Sequence, residues 1–246
     1  MKKVGIIGCG AIASVIAEAC DNGTIRCDEL ILFDYNAEKA QGLQKSLSLA
    51  SRVVKSVEEM IQRRPAIIVE AASQEAVKEY AERILNENIE LMVMSTGALL
   101  ESEVGNGHIH VPSGAIGGLD AISSAALAGI NEVTLTTRKN PRALGVDSQR
   151  KKTVYQGTAE EAVKLFPREM NVAATLALTV RPANVKVEVI ADPDVRRNTH
   201  EISINWKQGK MSLRFENQPH PKNPGTSALA AWSAIRLLKD LMEKEG

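Results

Sequence analysis

Six residues near the start, Gly8-Cys9-Gly10-Ala11-Ile12-Ala13, have the types and spacing of a turn that cradles phosphate. They lie between an apolar strand-like run, 3–7, and a helix-like stretch, 11–20. Gly8 permits a tight turn, Gly10 presents no Cβ to an approaching pyrophosphate, and Ala13 lets helix and strand pack closely. The amides of the first helical turn, those of Ala11 and Ile12 among them, offer free N–H groups and the positive end of the helix dipole to an anion. In isolation a plain βα turn looks the same. The strand before and the helix after favour a bound dinucleotide.

A second chemical residue sits at the end of the next apolar run. Asp34 follows Ala13 by about 20 positions, where a carboxylate accepts hydrogen bonds from the adenosine ribose and repels a 2′-phosphate. Tyr35, Asn36 and Ala37 follow it, with no arginine, so NAD is expected ahead of NADP; the nearby Lys39 keeps NADP open. Two later strand ends carry small residues, Ala71-Ala72-Ser73 and Ser95-Thr96-Gly97. Small side chains there leave room for the nicotinamide ribose, and they equally suit tight βα turns. An Asp at such a position can also simply cap a turn.

Four histidines are candidates for proton chemistry: His108, His110, His200 and His220. His108 and His110 would share one face of a strand, but a third ligand is missing, so no metal is expected. His220 falls in a proline-rich stretch and is expected in solvent. His200 opens a predicted strand after the polar turn Arg196-Arg197-Asn198-Thr199. An unperturbed imidazole titrates near neutrality and suits general acid–base work on an alcohol or amine. A structural histidine is the competing reading.

These residues need elements to hold them. Up to about residue 110, short apolar runs alternate with helical stretches: runs at 3–7, 30–34, 52–54, 67–70 and 89–94, with helices at 11–20, 37–47 and 74–86. This pattern predicts parallel strands buried on both faces in a doubly wound sheet, the Rossmann arrangement. Beyond it come a glycine-rich loop at 112–118 and a small-residue helix at 119–128. A strand is expected at 132–137 and helices at 159–166 and 171–180. Three consecutive strand-like runs follow, at 185–191, 200–206 and 210–216, with Gln208-Gly209 as a hairpin turn. They predict a second, α+β domain with a mostly antiparallel sheet. A last helix, about 226–245, is capped by Thr226 or Ser227, and its face Leu229, Trp232, Ile235, Leu238 must be covered. The expected domains are 1–110 with 222–246, binding the dinucleotide, and 111–221, carrying the substrate site and a dimer contact.

The bulk composition narrows the function classes. Lys plus Arg equals Asp plus Glu at 30 each, so a polyanion binder is excluded as an expectation. Three cysteines, Cys9, Cys20 and Cys27, show neither disulfide nor zinc spacing and suit a reducing compartment, hence the cytoplasm. The first residues read as a strand cut by glycines, not as a signal peptide, and no run is long enough to span a bilayer. Aromatic residues are 3% of the chain, so the core must be aliphatic.

Four strings together resemble the L-aspartate dehydrogenases: Pro112-Ser113-Gly114-Ala115-Ile116-Gly117-Gly118-Leu119-Asp120; Phe166-Pro167 with Asn171-Val172-Ala173-Ala174-Thr175-Leu176; Arg197-Asn198-Thr199-His200-Glu201-Ile202; and Asn223-Pro224-Gly225-Thr226-Ser227-Ala228-Leu229. The resemblance covers essentially the whole chain. It implies NAD(P)-dependent oxidative deamination of L-aspartate through iminoaspartate to oxaloacetate and ammonia, with iminoaspartate also able to feed NAD biosynthesis. It places the family's catalytic histidine on His200 and its cofactor contacts on Ala115 and Asn171. Glu169 departs from the pattern, which often has asparagine there. Such relatives often accept both NAD and NADP. For the two substrate carboxylates, the amides around Ser113, Gly114 and Gly117 could form an anion nest, and Arg197 could supply a bidentate fork, the solvated turn being its alternative. Other readings that remain are a dehydrogenase or reductase of the homoserine dehydrogenase or dihydrodipicolinate reductase type, and a non-catalytic NAD-binding sensor.

Overall fold

The computed structural model describes residues 2–101, 108–220 and 223–244. The chain divides into two units, Met1–Pro112 with Ala231–Gly246, and Ser113–Ala230.

In the first unit, β1 (Lys3–Ile7), β2 (Glu29–Phe33), β3 (Ser51–Val53), β4 (Ile67–Glu70), β5 (Glu90–Val93) and β6 (Ile109–His110) form one sheet in the order β3-β2-β1-β4-β5-β6. Every pair is parallel. The central strands are buried along nearly their whole length, which is why their sequences are unbroken aliphatic runs rather than alternating ones. Helices α1 (Ala11–Asp21), α2 (Ala37–Lys45), α3 (Val57–Gln62) and α4 (Gln74–Asn86) supply the crossovers. The strand order reverses between β1 and β4, and ligands bind beyond the carboxyl ends of strands at such a switch point. Helix α3 was not expected. It is six residues long, too short for a periodic signal. Its start was nonetheless written in Ser56-Val57-Glu58-Glu59: the Ser56 hydroxyl accepts from the Glu59 amide at 3.2 Å.

In the second unit, α5 (Leu119–Ala128) leads into β7 (Ile130–Lys139). There follow β8 (Lys152–Thr158), α6 (Ala159–Leu165), α7 (Asn171–Val180), β9 (Val185–Ala191), β10 (Asn198–Trp206) and β11 (Gly209–Asn217). The sheet order is β11-β10-β7-β9-β8. All neighbours are antiparallel except β7 and β9. The run of three consecutive strands was expected to pair in sequence, but β7 inserts between β9 and β10. The hairpin turn also shifts by one residue: Trp206 pairs with Gly209, so Lys207 and Gln208 make the turn. Along β7, Val133, Leu135, Thr137 and Lys139 are buried while the residues between them are more open. On β10, Asn198, His200, Ile202 and Ile204 are buried, Thr199 with them, while Glu201, Ser203 and Asn205 are more open. One face of this sheet is therefore the inner face, against which α5, α6 and α7 pack.

The last helix, α8, runs Ala228–Lys244. Its buried positions are Ala231, Ala234, Ile235, Leu238 and Met242, the last four packed in the core of the first unit with Val4, Ile6 and Ile16. The expected face was half wrong: Leu229 is 36% and Trp232 58% exposed. A strict three-residue spacing drifts off a 3.6-residue helix, and the true stripe follows 231, 234, 235, 238, 242. The segment 223–230, expected with the first unit, belongs to the second. There Asn223–Ser227 pairs with Pro219–His220, and the Asn198 amide donates to the Ser227 hydroxyl at 3.3 Å.

Candidate active site

In the first unit the predicted residues gather at the carboxyl edge of the sheet. Gly8 has φ +87°, a left-handed conformation that L side chains rarely adopt. A Cβ on it would stand 2.7 Å from the Ala72 Cβ and 2.8 Å from the Ala71 carbonyl. Glycine is thus what lets the first turn touch the loop after β4. Gly10 differs: a Cβ there would meet nothing within 4 Å. It caps α1 without a side-chain hydrogen bond, and the first turn holds no acidic residue. The amides of Ala11 and Ile12 thus begin a helix whose N-terminus faces open space, and this cradle fits a pyrophosphate.

Asp34 does more than expected. Its Oδ2 accepts from the Cys9 amide at 2.7 Å and its Oδ1 from the Asn36 amide at 2.8 Å. It braces the glycine turn, and a carboxylate with about four acceptor sites keeps capacity for ribose hydroxyls. Burial, and then the Asp34 charge, push the Cys9 thiol up to about 12, so it is an inert packing group.

Glu70 was missed by sequence reasoning. It is 1% exposed at the end of β4. Its Oε1 accepts from the amides of Ala72 and Ser73 and from the Ser95 hydroxyl at 2.8–2.9 Å, and its Oε2 from the Ser95 amide at 3.0 Å. Burial raises its pKa, and these four bonds oppose the rise. One carboxylate thereby ties together the two small-residue loops flagged in the sequence. Ser73 is committed as well: its hydroxyl caps α4 by accepting from the Ala76 amide. The signal for Glu70 was a charge closing the apolar run Ile67-Ile68-Val69.

In the second unit the loop 112–118 is pinned to β11. The Asn217 amide donates to the Ala115 carbonyl at 2.9 Å, and Ala115 is buried. Gly118, at φ +71°, would place a Cβ 2.8 Å from Leu213. Gly114 is also left-handed, and Ser113, Gly114 and Gly117 are half-buried.

His200 is 1% exposed on the inner face of β10, directly across from Thr137 on β7. Its Nδ1 shares a 3.1 Å hydrogen bond with the Thr137 hydroxyl. Burial first, and then the positive charge of Lys139, hold its pKa down to about 3. The expectation of an imidazole titrating near neutrality is corrected: burial and the Lys139 charge keep the ring neutral. Lys139, two residues beyond Thr137, is 2% exposed on the same face. Its Nζ donates to the Glu169 carbonyl at 3.3 Å, in the turn before Asn171 opens α7. Sequence reasoning missed Lys139. Its signal was period 2 along β7, which turns the lysine inward with Val133 and Leu135.

Arg197 is not brought to His200. Its guanidinium reaches Glu216 at 4.0 Å, and Glu216 pairs with Thr199, on the opposite face. Arg197 is half-exposed, so this contact is screened. His108 and His110 both bind the Glu90 carboxylate, at 2.8 and 2.6 Å. Among the described residues no group of three His, Cys, Asp or Glu is set to hold a metal. His220 is half-buried in a two-residue strand rather than free in solvent. Among the described residues no helix is long and apolar enough to cross a membrane.

Comparison with known proteins adds the following. Residues 8–110 match the family described as homoserine dehydrogenase, NAD binding domain, and residues 120–241 match aspartate dehydrogenase, C-terminal. The chain is 42% identical to an L-aspartate dehydrogenase of Methanosarcina mazei, over 98% of this chain and 97% of that one. It is 42% identical to an L-aspartate dehydrogenase of Methanothermobacter thermautotrophicus, over 99% and 97%. The crystal structure of aspartate dehydrogenase from Thermotoga maritima superposes with TM-score 0.78 at 31% identity, covering 98% of this chain and 97% of that one.

Proposed function

Since the chain belongs to the L-aspartate dehydrogenase family, we propose that it oxidises L-aspartate with NAD or NADP, releasing ammonia and oxaloacetate. The single observation that carries this is the match at 42% identity across both units at once. The homoserine dehydrogenase alternative draws only on the first unit, since residues 120–241 match the aspartate dehydrogenase model.

The dinucleotide is assigned to the turn of Gly8 and Gly10, the amides of Ala11 and Ile12, the carboxylate of Asp34 and the loop of Ala72 and Ser73. By resemblance, the family's further cofactor-contacting positions fall on Ala115 and Asn171. When bound, the nicotinamide supplies the two-electron acceptor. The substrate gives up a hydride from Cα and a proton from its amino nitrogen, a two-electron oxidation, and becomes an imine. Water then adds to the imine carbon, and cleavage of the C–N bond frees ammonia. His200 is assigned the proton of that water; for the ring to take it near neutral pH, a bound substrate carboxylate must raise its pKa from the value of about 3 in the free protein. A base needs Nε2 bare, which requires the tautomer whose Nδ1–H donates to the Thr137 hydroxyl. Thr137 thus orients the ring as well as touching it. Ser113, Gly114 and Gly117 remain the proposed anion nest; Arg197 lies on the wrong face for its part.

A cytoplasmic location fits the three free cysteines, and a homodimer is part of the same reading. Supply of iminoaspartate for NAD biosynthesis is part of the same reading. The test is a substrate panel: aspartate, homoserine and malate, each with NAD and NADP, followed by reduced nucleotide and by ammonia. Aspartate alone should give both products. Turnover of homoserine or malate in preference to aspartate would overturn the assignment.

A further inference from the structure

We propose that Lys139 is a substrate-binding residue, its ammonium receiving a carboxylate of the dicarboxylic amino acid beside His200. The assignment deepens the aspartate reaction proposed above and rests on it.

Lys139 ends β7 and, by strand alternation, shares the inner face with Thr137, the residue hydrogen-bonded to His200. Lys139 is 2% exposed, and burial of an ammonium is costly unless hydrogen bonds and negative charge offset it. Its surroundings favour an anion. The Nζ donates to the Glu169 carbonyl, just before α7. That helix starts with no acidic residue in its first turn and no side-chain cap, so its amide dipoles add to the positive potential. The titratable groups coupled to it are His200 on β10 and Glu169 before α7; Asp192, after β9, is buried as well, and its amide donates to the Lys139 carbonyl at 2.9 Å. His200 is neutral, so it does not repel the lysine. Arg197, the cation expected to hold a carboxylate, is turned to Glu216 and does not supply charge on this face, whereas Lys139 lies on it.

Burial draws the lysine pKa down to about 8, against the pull of Glu169. The free protein therefore holds an ammonium at neutral pH and loses it as the pH climbs through that value. A carboxylate bound beside it would pull the pKa back up, so binding of a dianion must weaken as the solution becomes alkaline.

The experiment uses succinate, a dicarboxylate without an amine, as a competitive inhibitor against aspartate. In the unaltered protein its inhibition constant should be flat below about pH 7.5 and rise up to about tenfold per unit above about pH 8.5. Lys139→Met should raise the aspartate KM roughly 10- to 100-fold, abolish the pH dependence of succinate inhibition, and leave NAD affinity as it was. Lys139→Arg should recover part of the KM. A pH-independent inhibition constant in the unaltered protein overturns the proposal, whether or not the variants fold. So does a Lys139→Met KM within about threefold of the unaltered value. Absence of aspartate turnover in the unaltered protein would instead refute the reaction itself, a separate outcome.

Discussion

Gly8 and Gly10 should fail in opposite ways when changed to alanine. At Gly8 the backbone is at φ +87°, and an added methyl would lie 2.7–2.8 Å from Ala72 and the Ala71 carbonyl. The left-handed conformation costs an L residue roughly 1–2 kcal/mol. Forcing a methyl into a packed contact costs typically about 1–3 kcal/mol more. Gly8→Ala should therefore destabilise the protein by about 2–5 kcal/mol, before any cofactor is considered. At Gly10 the backbone is at φ −87° and the methyl would meet nothing within 4 Å. Alanine there loses a modest N-cap preference and gains from a stiffer unfolded chain, so stability should move by less than about 0.5 kcal/mol. Yet that methyl points into the space assigned to the pyrophosphate, and NAD affinity should fall at least about tenfold, or roughly 1.4 kcal/mol. Urea unfolding and titration calorimetry with NAD separate the two effects. A Gly10→Ala protein that binds NAD normally would refute the placement of the pyrophosphate. A Gly8→Ala protein of unchanged stability would refute the packing argument.

Further expectations follow from the same geometry. Asp34→Ala should weaken NAD more than NADP, by calorimetry, because only the former loses ribose hydrogen bonds without shedding a repulsion; equal losses would leave Asp34 a brace for the Cys9 turn and nothing more. Glu70→Gln should cost about 2–4 kcal/mol in urea unfolding, since the new amide donor confronts either the Ser95 amide or the three donors on the other oxygen; a loss under about 0.5 kcal/mol would show that the carboxylate does not hold the loops. His200 has a depressed pKa in the folded state, so the unfolded chain binds the extra proton between about pH 6.5 and the folded value near 3. Stability from this group is present above about pH 6.5 and falls with acid by about 1.4 kcal/mol per unit. The unaltered protein should lose stability that much faster than His200→Asn between about pH 6.5 and pH 5; parallel curves would mean that the ring titrates normally.

The first unit was largely legible because its signals are local. Gly8, Gly10 and Asp34 occur at spacings set by one βα unit and the next strand, and parallel strands buried on both faces announce themselves as aliphatic runs. The parallel sheet and the helices α1, α2 and α4 followed from that. What escaped depends on contacts distant in sequence. That Asp34 supports the Cys9 amide, or that Glu70 joins the loops at Ala72 and Ser95, is invisible until the strands are side by side. In the second unit the expected titration of His200 near neutrality was misjudged, because the ring is buried and the Lys139 charge comes from β7, about sixty residues earlier in the chain. The insertion of β7 between β9 and β10 follows no hairpin rule and left Thr137 and Lys139 unassigned. Arg197 looked suitable next to His200 in sequence, while strand alternation sends the two to different partners. Trp232 was assigned inward by its three-residue spacing from Leu229 and Ile235, although Ala231 and Ala234 form the stripe that packs.

The most direct test compares binding with turnover in His200→Ala. NAD affinity should be unchanged by calorimetry, while aspartate-dependent formation of reduced nucleotide and ammonia falls roughly 10²-fold or more. Turnover within about threefold of the unaltered protein, with the nucleotide still bound, would contradict the assignment of the proton to this imidazole.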